Sequence, residues 1–253
     1  MIVSVTEAQN FVPAVLKISD NNPFACRILS LYRCYPPELA FVDYWMTADE
    51  NGICTGAIAR NGSNFILFLT EKSELDEIAS FLRMSGASAV LCDGGYNLDF
   101  SDRITQGIVM KITHTIDVDI EDQIIEPDIR SAYDLIVKCT DENFAPPEFE
   151  DFYVDVNHKL RHKAMRLCGI YDGEVLAAIA MTVAESSDGA VLGAVACHPD
   201  YRRSGYGSKI VSHLTNALIT EGKAVYLHRA QNANAAFYQK LGFENCGNWR
   251  EYR

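Results

Sequence analysis

One short segment constrains this chain more than any other: Val195-Ala-Cys-His-Pro-Asp-Tyr-Arg-Arg-Ser-Gly-Tyr-Gly-Ser208. The apolar run at residues 190–197 reads as a strand. A turn holding Arg202, Gly205 and Gly207 follows, and then Ile210, Val211, Leu214, Ala217 and Leu218 recur at helical spacing. Glycines lack Cβ atoms, so backbone N–H groups can converge on one point. The first N–H groups of the helix have no intrahelical partner and carry partial positive charge. Strand, glycine turn and helix in direct succession therefore make a cradle for an anion, phosphate above all.

The spacing excludes two common phosphate loops. A Walker loop needs G-x-x-x-x-G-K-[ST], and Lys209 stands at the wrong distance from the glycines. A dinucleotide fingerprint needs a third glycine, which Gly205-Tyr-Gly-Ser-Lys-Ile210 does not supply. Taken alone, a G-x-G turn with solvated arginines is more often plain structure than a binding site.

Composition narrows the field further. The chain has 253 residues, 48% hydrophobic and 22% charged, which suits one large or two small globular domains. A net charge of -12 makes nucleic acid a poor partner. The longest apolar run, residues 175–184, falls far short of the ~18 residues of a membrane span, and no membrane partner is expected. The N-terminus lacks a basic start, its first positive side chain being Lys17, so a secretory signal is not expected. The cysteines form no C-x-x-C pair, which gives a metal site no support. Several, such as Cys54, Cys92, Cys168 and Cys197, lie in apolar runs and suit a reducing, cytoplasmic setting.

Charge divides the chain. Residues 1–125 hold 8 Lys and Arg against 17 Asp and Glu, the remainder 14 against 17. An acidic stretch ending at Pro127 marks a linker near residues 114–127, giving domains at 1–120 and 121–253. In the second, helices are expected after Pro127 and after Pro146-Pro147, then strands at 164–171, 174–184 and 190–197. The glycine-turn helix, a strand at 224–228, a short helix at 234–241 and a last strand within 243–252 complete it. The first domain follows the same order: a helix at 23–33, strands at 41–47, 53–60 and 65–69, a helix capped by Ser73, and strands at 87–92 and 108–113. Residues 1–20 stay open, because Pro13 is expected to break any helix there. A degenerate internal repeat follows from this order.

Two motifs in the second half carry a family resemblance. Arg202-Arg-Ser-Gly-Tyr-Gly207, preceded by Val195-Ala-Cys-His-Pro199, resembles the pyrophosphate loop of the GNAT superfamily of acyl-CoA-dependent N-acyltransferases and the strand before it. Asn232-Ala-Asn-Ala-Ala-Phe-Tyr-Gln-Lys-Leu-Gly-Phe243 resembles that family's Asn…Tyr-x-Lys-x-Gly-Phe segment. The Asn-to-Tyr interval is one residue short, so either Asn232 or Gln231 holds the family's Asn position. The resemblance covers roughly residues 126–253, and the first half reads as a smaller, degenerate relative. It implies an α/β (α+β) fold: a mixed, mostly antiparallel twisted sheet flanked by helices.

The resemblance also implies roles. Acetyl-CoA is the cosubstrate, with its pyrophosphate on the backbone of Arg203, Ser204, Gly205, Tyr206, Gly207 and Ser208, and Arg202 assisting. Val195, Ala196 and Cys197 flank the pantetheine arm, Asn232 and Phe237 contribute from the second motif, and Tyr238 protonates the departing thiolate. Packing with Phe237 would by itself explain Tyr238; the Gly242-Phe243 context favours catalysis. Glu185, at a strand end, is the candidate base for a primary amine acceptor, with a cationic acceptor suggested by the acidic first half. The region 144–162, with Glu148, Glu150, Asp151 and Asp155 among aromatics, is the candidate acceptor side or simply a solvated helix face. At the place where the first half would carry its own cradle stands Leu69-Thr-Glu-Lys-Ser-Glu-Leu-Asp-Glu77, which has no glycine and would repel pyrophosphate. A rival function is a non-catalytic acyl-CoA-binding sensor. A homodimer is compatible with either.

Overall fold

The computed structural model describes residues 1–5, 8–119, 123–140 and 146–253. The expected domain boundary at residues 120 and 121 and the Phe144 end of the candidate acceptor region lie outside these residues. Contacts within the chain divide it into two compact units. Unit 1 is Met1–Val109 together with Asn245–Arg253, and unit 2 is Met110–Glu244.

Unit 1 runs β1 (Ile2–Ser4), α1 (Ala8–Ser19), α2 (Pro23–Cys34), β2 (Val42–Ala48), β3 (Cys54–Asn61), β4 (Asn64–Leu69), α3 (Leu75–Met84) and β5 (Ala89–Asp93). Strand β6 (Ile104–Ile112) crosses the division between the units. Unit 2 runs β7 (Ile124–Ile125), α4 (Ile129–Lys138), α5 (Phe149–Arg161), β8 (Leu167–Asp172), β9 (Val175–Glu185), β10 (Gly189–Cys197), α6 (Tyr206–Thr220), β11 (Ala224–Ala230) and α7 (Ala235–Lys240). Strand β12 (Glu244–Tyr252) ends the chain. Each unit thus repeats one order: strand, two helices, a three-strand meander, a helix and a further strand.

The sheet order is β1-β2-β3-β4-β5-β12 in unit 1 and β11-β10-β9-β8-β7 in unit 2. Pairing is antiparallel in the meanders and parallel where a helix intervenes, at β4–β5 and β10–β11. A crossover helix permits that parallel return. The last strand, expected to complete the second half, instead pairs with β5 of the first, Arg250 opposite Cys92 and Tyr252 opposite Val90. Its Tyr252 is fully buried and joins Ile58, Phe65, Leu82 and Val90 in the core of unit 1.

Pro13 corrects the reading of the N-terminus. Helix α1 runs straight through it, because Phe11 and Val15 bury completely on one face. Burial of two such side chains, worth about 1.5–3 kcal/mol each, offsets the roughly 3 kcal/mol of an internal proline. Ser73 does not cap α3; Glu74 holds that position without a side-chain bond. The Ser73 hydroxyl instead donates to the Thr55 carbonyl at 2.9 Å, beside the Thr70 hydroxyl at 2.7 Å, and accepts from the Thr70 N–H at 3.0 Å. The loop after β4 is thereby stitched onto β3.

Candidate functional site

The site begins with a defect in β10. This strand pairs with β11 from Gly189–Ala224 to Leu192–Leu227 and no further, although both strands continue. Beyond Leu192, β10 takes up one extra residue: Gly193 faces Met181, yet Ala196 already faces Ile179. Ala194 adopts φ 45°, a left-handed conformation that costs a residue with a Cβ about 1–2 kcal/mol. A bulge of this kind bends and twists its strand, so β10 leaves β11 and a split opens between them. Gly193 is needed at the bend. A Cβ there would lie 2.4 Å from Val183 Cγ1, closer than two carbons can approach.

Beyond the split, β10 feeds the glycine turn. His198 caps a single tight turn at Pro199–Tyr201, its Nδ1 accepting from the Asp200 N–H at 3.4 Å. Arg203 then adopts φ 66° and Gly205 φ 90°, and α6 starts at Tyr206 with Gly205 as its cap residue. Alternating left- and right-handed residues turn successive N–H groups to the same side, the arrangement that receives anions. The Gly205 conformation is the reason for a glycine at that position. Arg202, Arg203, Ser204 and Gly205 are exposed, while Tyr206, Gly207 and Ser208 are half-buried. Arg202 is drawn back over the strand end, its Nε donating to the Cys197 carbonyl at 3.4 Å.

The second motif docks on the first. The Phe237 ring lies where a Cβ on Gly207 would meet it at ordinary contact distance, 3.7 Å, so α7 rests on the head of α6. Phe237 and Tyr238 meet edge to face at 4.9 Å, and Tyr238 meets Phe243 likewise at 5.8 Å. The Gly242-Phe243 pair closes α7: Gly242 has φ 91°, its N–H donates to the Gln239 carbonyl and the Phe243 N–H donates to the Tyr238 carbonyl. That is a Schellman cap, and it fixes Tyr238 at the end of the short helix. Burial pushes the Tyr238 phenol up to about 12. Asn232 is exposed in the loop before α7.

The structure brings the cradle residues, Val195 to Cys197, Phe237 and Tyr238 into one unit, and it separates Glu185 from them. Glu185 pairs with Ala190 near the start of β10, roughly 16 Å along the strand from Val195 at about 3.3 Å per residue. Its carboxylate is buried and accepts from Lys223 Nζ at 2.8 Å, Thr182 Oγ1 at 2.9 Å and Arg166 Nη2 at 3.2 Å. This group tethers β9 to the start of β11 across β10, so the Glu185 carboxylate is held within an ion-pair network at the far end of β10 from Val195. Glu148, Glu150 and Asp151 are exposed on the first turn of α5, as a solvated face requires, while Asp155 pairs with Lys159 at 2.7 Å.

Several contributors escape a reading of motifs. Arg229, buried at the end of β11, donates through Nη1 to the Ala230 and Gln231 carbonyls at 3.0 and 2.8 Å and holds the loop that leads to α7. Cys139, at the end of α4, donates its thiol to the Cys197 carbonyl at 3.2 Å, and Lys138 reaches His198 Nε2 at 3.4 Å. The Cys197 thiol is raised by burial, which suits packing better than nucleophilic attack. Among the described residues no group of His, Cys, Asp and Glu is placed to hold a metal ion, and no helix is long and apolar enough to cross a membrane.

Comparison with known proteins places this geometry. Residues 167–253 match the family model described as FR47-like protein, which is GNAT-related. A GCN5-related N-acetyltransferase from Sphaerobacter thermophilus aligns with a TM-score of 0.62 at 12% identity, covering 99% of this chain and 94% of its own. A tandem GNAT protein from the clavulanic acid biosynthesis pathway aligns at 0.59 and 14% identity, covering 99% and 97%. A GNAT-family acetyltransferase from Colwellia psychrerythraea aligns at 0.55 and 14%, covering 100% and 98%. No curated protein matches the sequence. The chain therefore has the tandem GNAT fold, a mixed, mostly antiparallel sheet flanked by helices. Its FR47-like segment spans the strand with the bulge, the cradle and Tyr238.

Proposed function

We propose that this protein is an N-acetyltransferase that moves an acetyl group from acetyl-CoA to a primary amine by direct attack. The observation that carries the proposal is the continuity of the split, the bulge and the cradle along β10. Backbone groups freed from the ladder near Val195 need a partner, and an extended pantetheine arm bonds them as an added strand would. Seven residues lie between Val195 and Arg203, where the turn into α6 begins to offer the N–H groups of Arg203 to Ser208 to the pyrophosphate, each charge-assisted bond contributing about 1.5–3 kcal/mol. The residues read as acetyl-CoA determinants, from Val195 through the Arg202–Ser208 turn to Phe237, all belong to unit 2.

Tyr238 serves the leaving sulfur. A phenol near 12 keeps its proton throughout the neutral range. Passing that proton fully to a thiolate of ordinary pKa ~8.5 is uphill by about 5 kcal/mol, so the hydroxyl acts chiefly as a hydrogen-bond donor that stabilises developing charge. Unit 1 has a similar parting of strands, β4 and β5 pairing only from Asn64–Ala89 to Ile66–Leu91. Its loop is tied to Thr55 and flanked by Glu71, Asp76 and Glu77, so the reading assigns it no acetyl-CoA. Eight free cysteines suit a reducing cytoplasm.

Release of free CoA from acetyl-CoA, followed with a thiol-detecting dye against a panel of primary amines, tests the proposal. Amine-dependent release is expected. Release that no amine accelerates contradicts it.

A further inference from the structure

The split between β10 and β11 has two walls, and the motifs describe only one. The last pair, Leu192–Leu227, makes Gly193 and His228 the next residues on the two strands. Residues paired across parallel strands share a face of the sheet, and so do alternate residues along each strand. Gly193 shares its face with its antiparallel partner Met181, which belongs to the core beneath α4 and α5. His228 therefore stands on the α4/α5 side, at the first position of β11 beyond the ladder, opposite a residue that has no side chain. Val195 is only two residues past Gly193, roughly 7 Å along the strand. We propose that His228 is the catalytic base that takes the proton from the incoming amine, an inference that rests on the acetyl-transfer reading above.

The other histidines are placed elsewhere. His114 Nε2 would lie 3.1 Å from a Cβ on Gly242. His158 and His162 stack on each other at 4.1 Å at the end of α5. His198 caps its own turn, and His213 lies on α6. Glu185 is engaged by Lys223 and Arg166.

The step balances as follows. The ammonium gives one proton to the His228 imidazole, and the amine lone pair attacks the thioester carbon. A C–N bond forms and the carbonyl pair moves to oxygen. When the carbonyl re-forms, the C–S bond breaks and its pair leaves on sulfur, where the Tyr238 hydroxyl donates a hydrogen bond. The second amine proton ends on that sulfur, and the imidazolium returns its proton to solvent. The products are the amide, CoA thiol and one proton.

The test uses full-length His228→Gln, His228→Asn and His228→Gly. Acetyl-CoA binding is measured by calorimetry, melting by calorimetric scan, and CoA release with spermidine, tyramine, glucosamine and a lysine-containing peptide as acceptors. The inference expects acetyl-CoA Kd within twofold of the parent and turnover at least 100-fold lower. It also expects added imidazole to restore part of the turnover of His228→Gly. Turnover within twofold of the parent in His228→Gln overturns the inference and leaves the acetyl-transfer reading standing. Loss of acetyl-CoA binding in all three variants also overturns it, since His228 would then hold the cosubstrate or the fold. If the parent binds acetyl-CoA but transfers to none of the four acceptors, the acetyl-transfer reading fails and the inference falls with it.

Discussion

At the scale of single residues, the proposed function assigns Tyr238 to chemistry and Gly205 to binding. Tyr238→Phe removes the hydroxyl but keeps the ring contacts with Phe237 and Phe243. Turnover is expected to fall about 10²–10³-fold, as for removal of a donor to developing charge, with acetyl-CoA affinity unchanged; steady-state kinetics beside calorimetry checks this, and a loss under about twofold contradicts it. Gly205→Ala forces a Cβ into φ 90°. The turn should relax, and acetyl-CoA Kd should weaken tenfold or more, about 1.4 kcal/mol. Glu221 gives a prediction in pH. Its hydrogen bond with Arg166 holds its carboxyl down at about 2, well below the usual 4.5. A folded pKa below the unfolded one stabilises the fold above the unfolded value and loses that contribution as pH falls from about 4.5 through about 2. Melting temperatures across that range should therefore drop less in Glu221→Gln than in the parent. Glu221 is partly exposed, so the difference will be modest.

At the scale of elements, the legible parts were those whose signal is local. Periodicity and turn residues mark α2, α6, the meanders and the cradle within about three residues, because each is decided by side chains inside it. The placement of Tyr238 on a short capped helix was legible because the Gly242-Phe243 cap that fixes it follows directly in sequence. Elements decided by distant partners were not. Helix α1 survives Pro13 through burial against the sheet, and Ser73 leaves its cap for Thr55, a residue of another strand. Glu185 read as a base because it ends a strand, while Lys223 and Arg166, which engage it, stand far off in sequence. The position of His228 just beyond the ladder was not legible, because it depends on where β10 leaves β11, and that is set by the bulge at Ala194. The C-terminal strand gives the prediction that belongs here. Tyr252 is buried in unit 1, where its hydroxyl accepts from the Leu98 N–H at 2.9 Å. Tyr252→Ala should cost about 3–5 kcal/mol, with faster hydrogen exchange in β5. Acetyl-CoA Kd should not change, because the cradle belongs to unit 2.

At the scale of the whole molecule, the chain repeats one fold, and the proposed function places the chemistry in one unit alone. Unit 2 has the bulged strand, the left-handed turn and the phenol; unit 1 keeps the parted strands but closes its loop with Thr70 and Ser73. The overall charge of -12 repels polyanions at long range, whereas a small pyrophosphate meets converging N–H groups at the head of α6. Two units and one cradle make a stoichiometric claim. Calorimetric titration of the full chain with acetyl-CoA tests it most directly. The account predicts one molecule bound per chain, with binding lost or greatly weakened in Gly205→Ala. Two molecules per chain, none, or one that Gly205→Ala leaves undisturbed would contradict it.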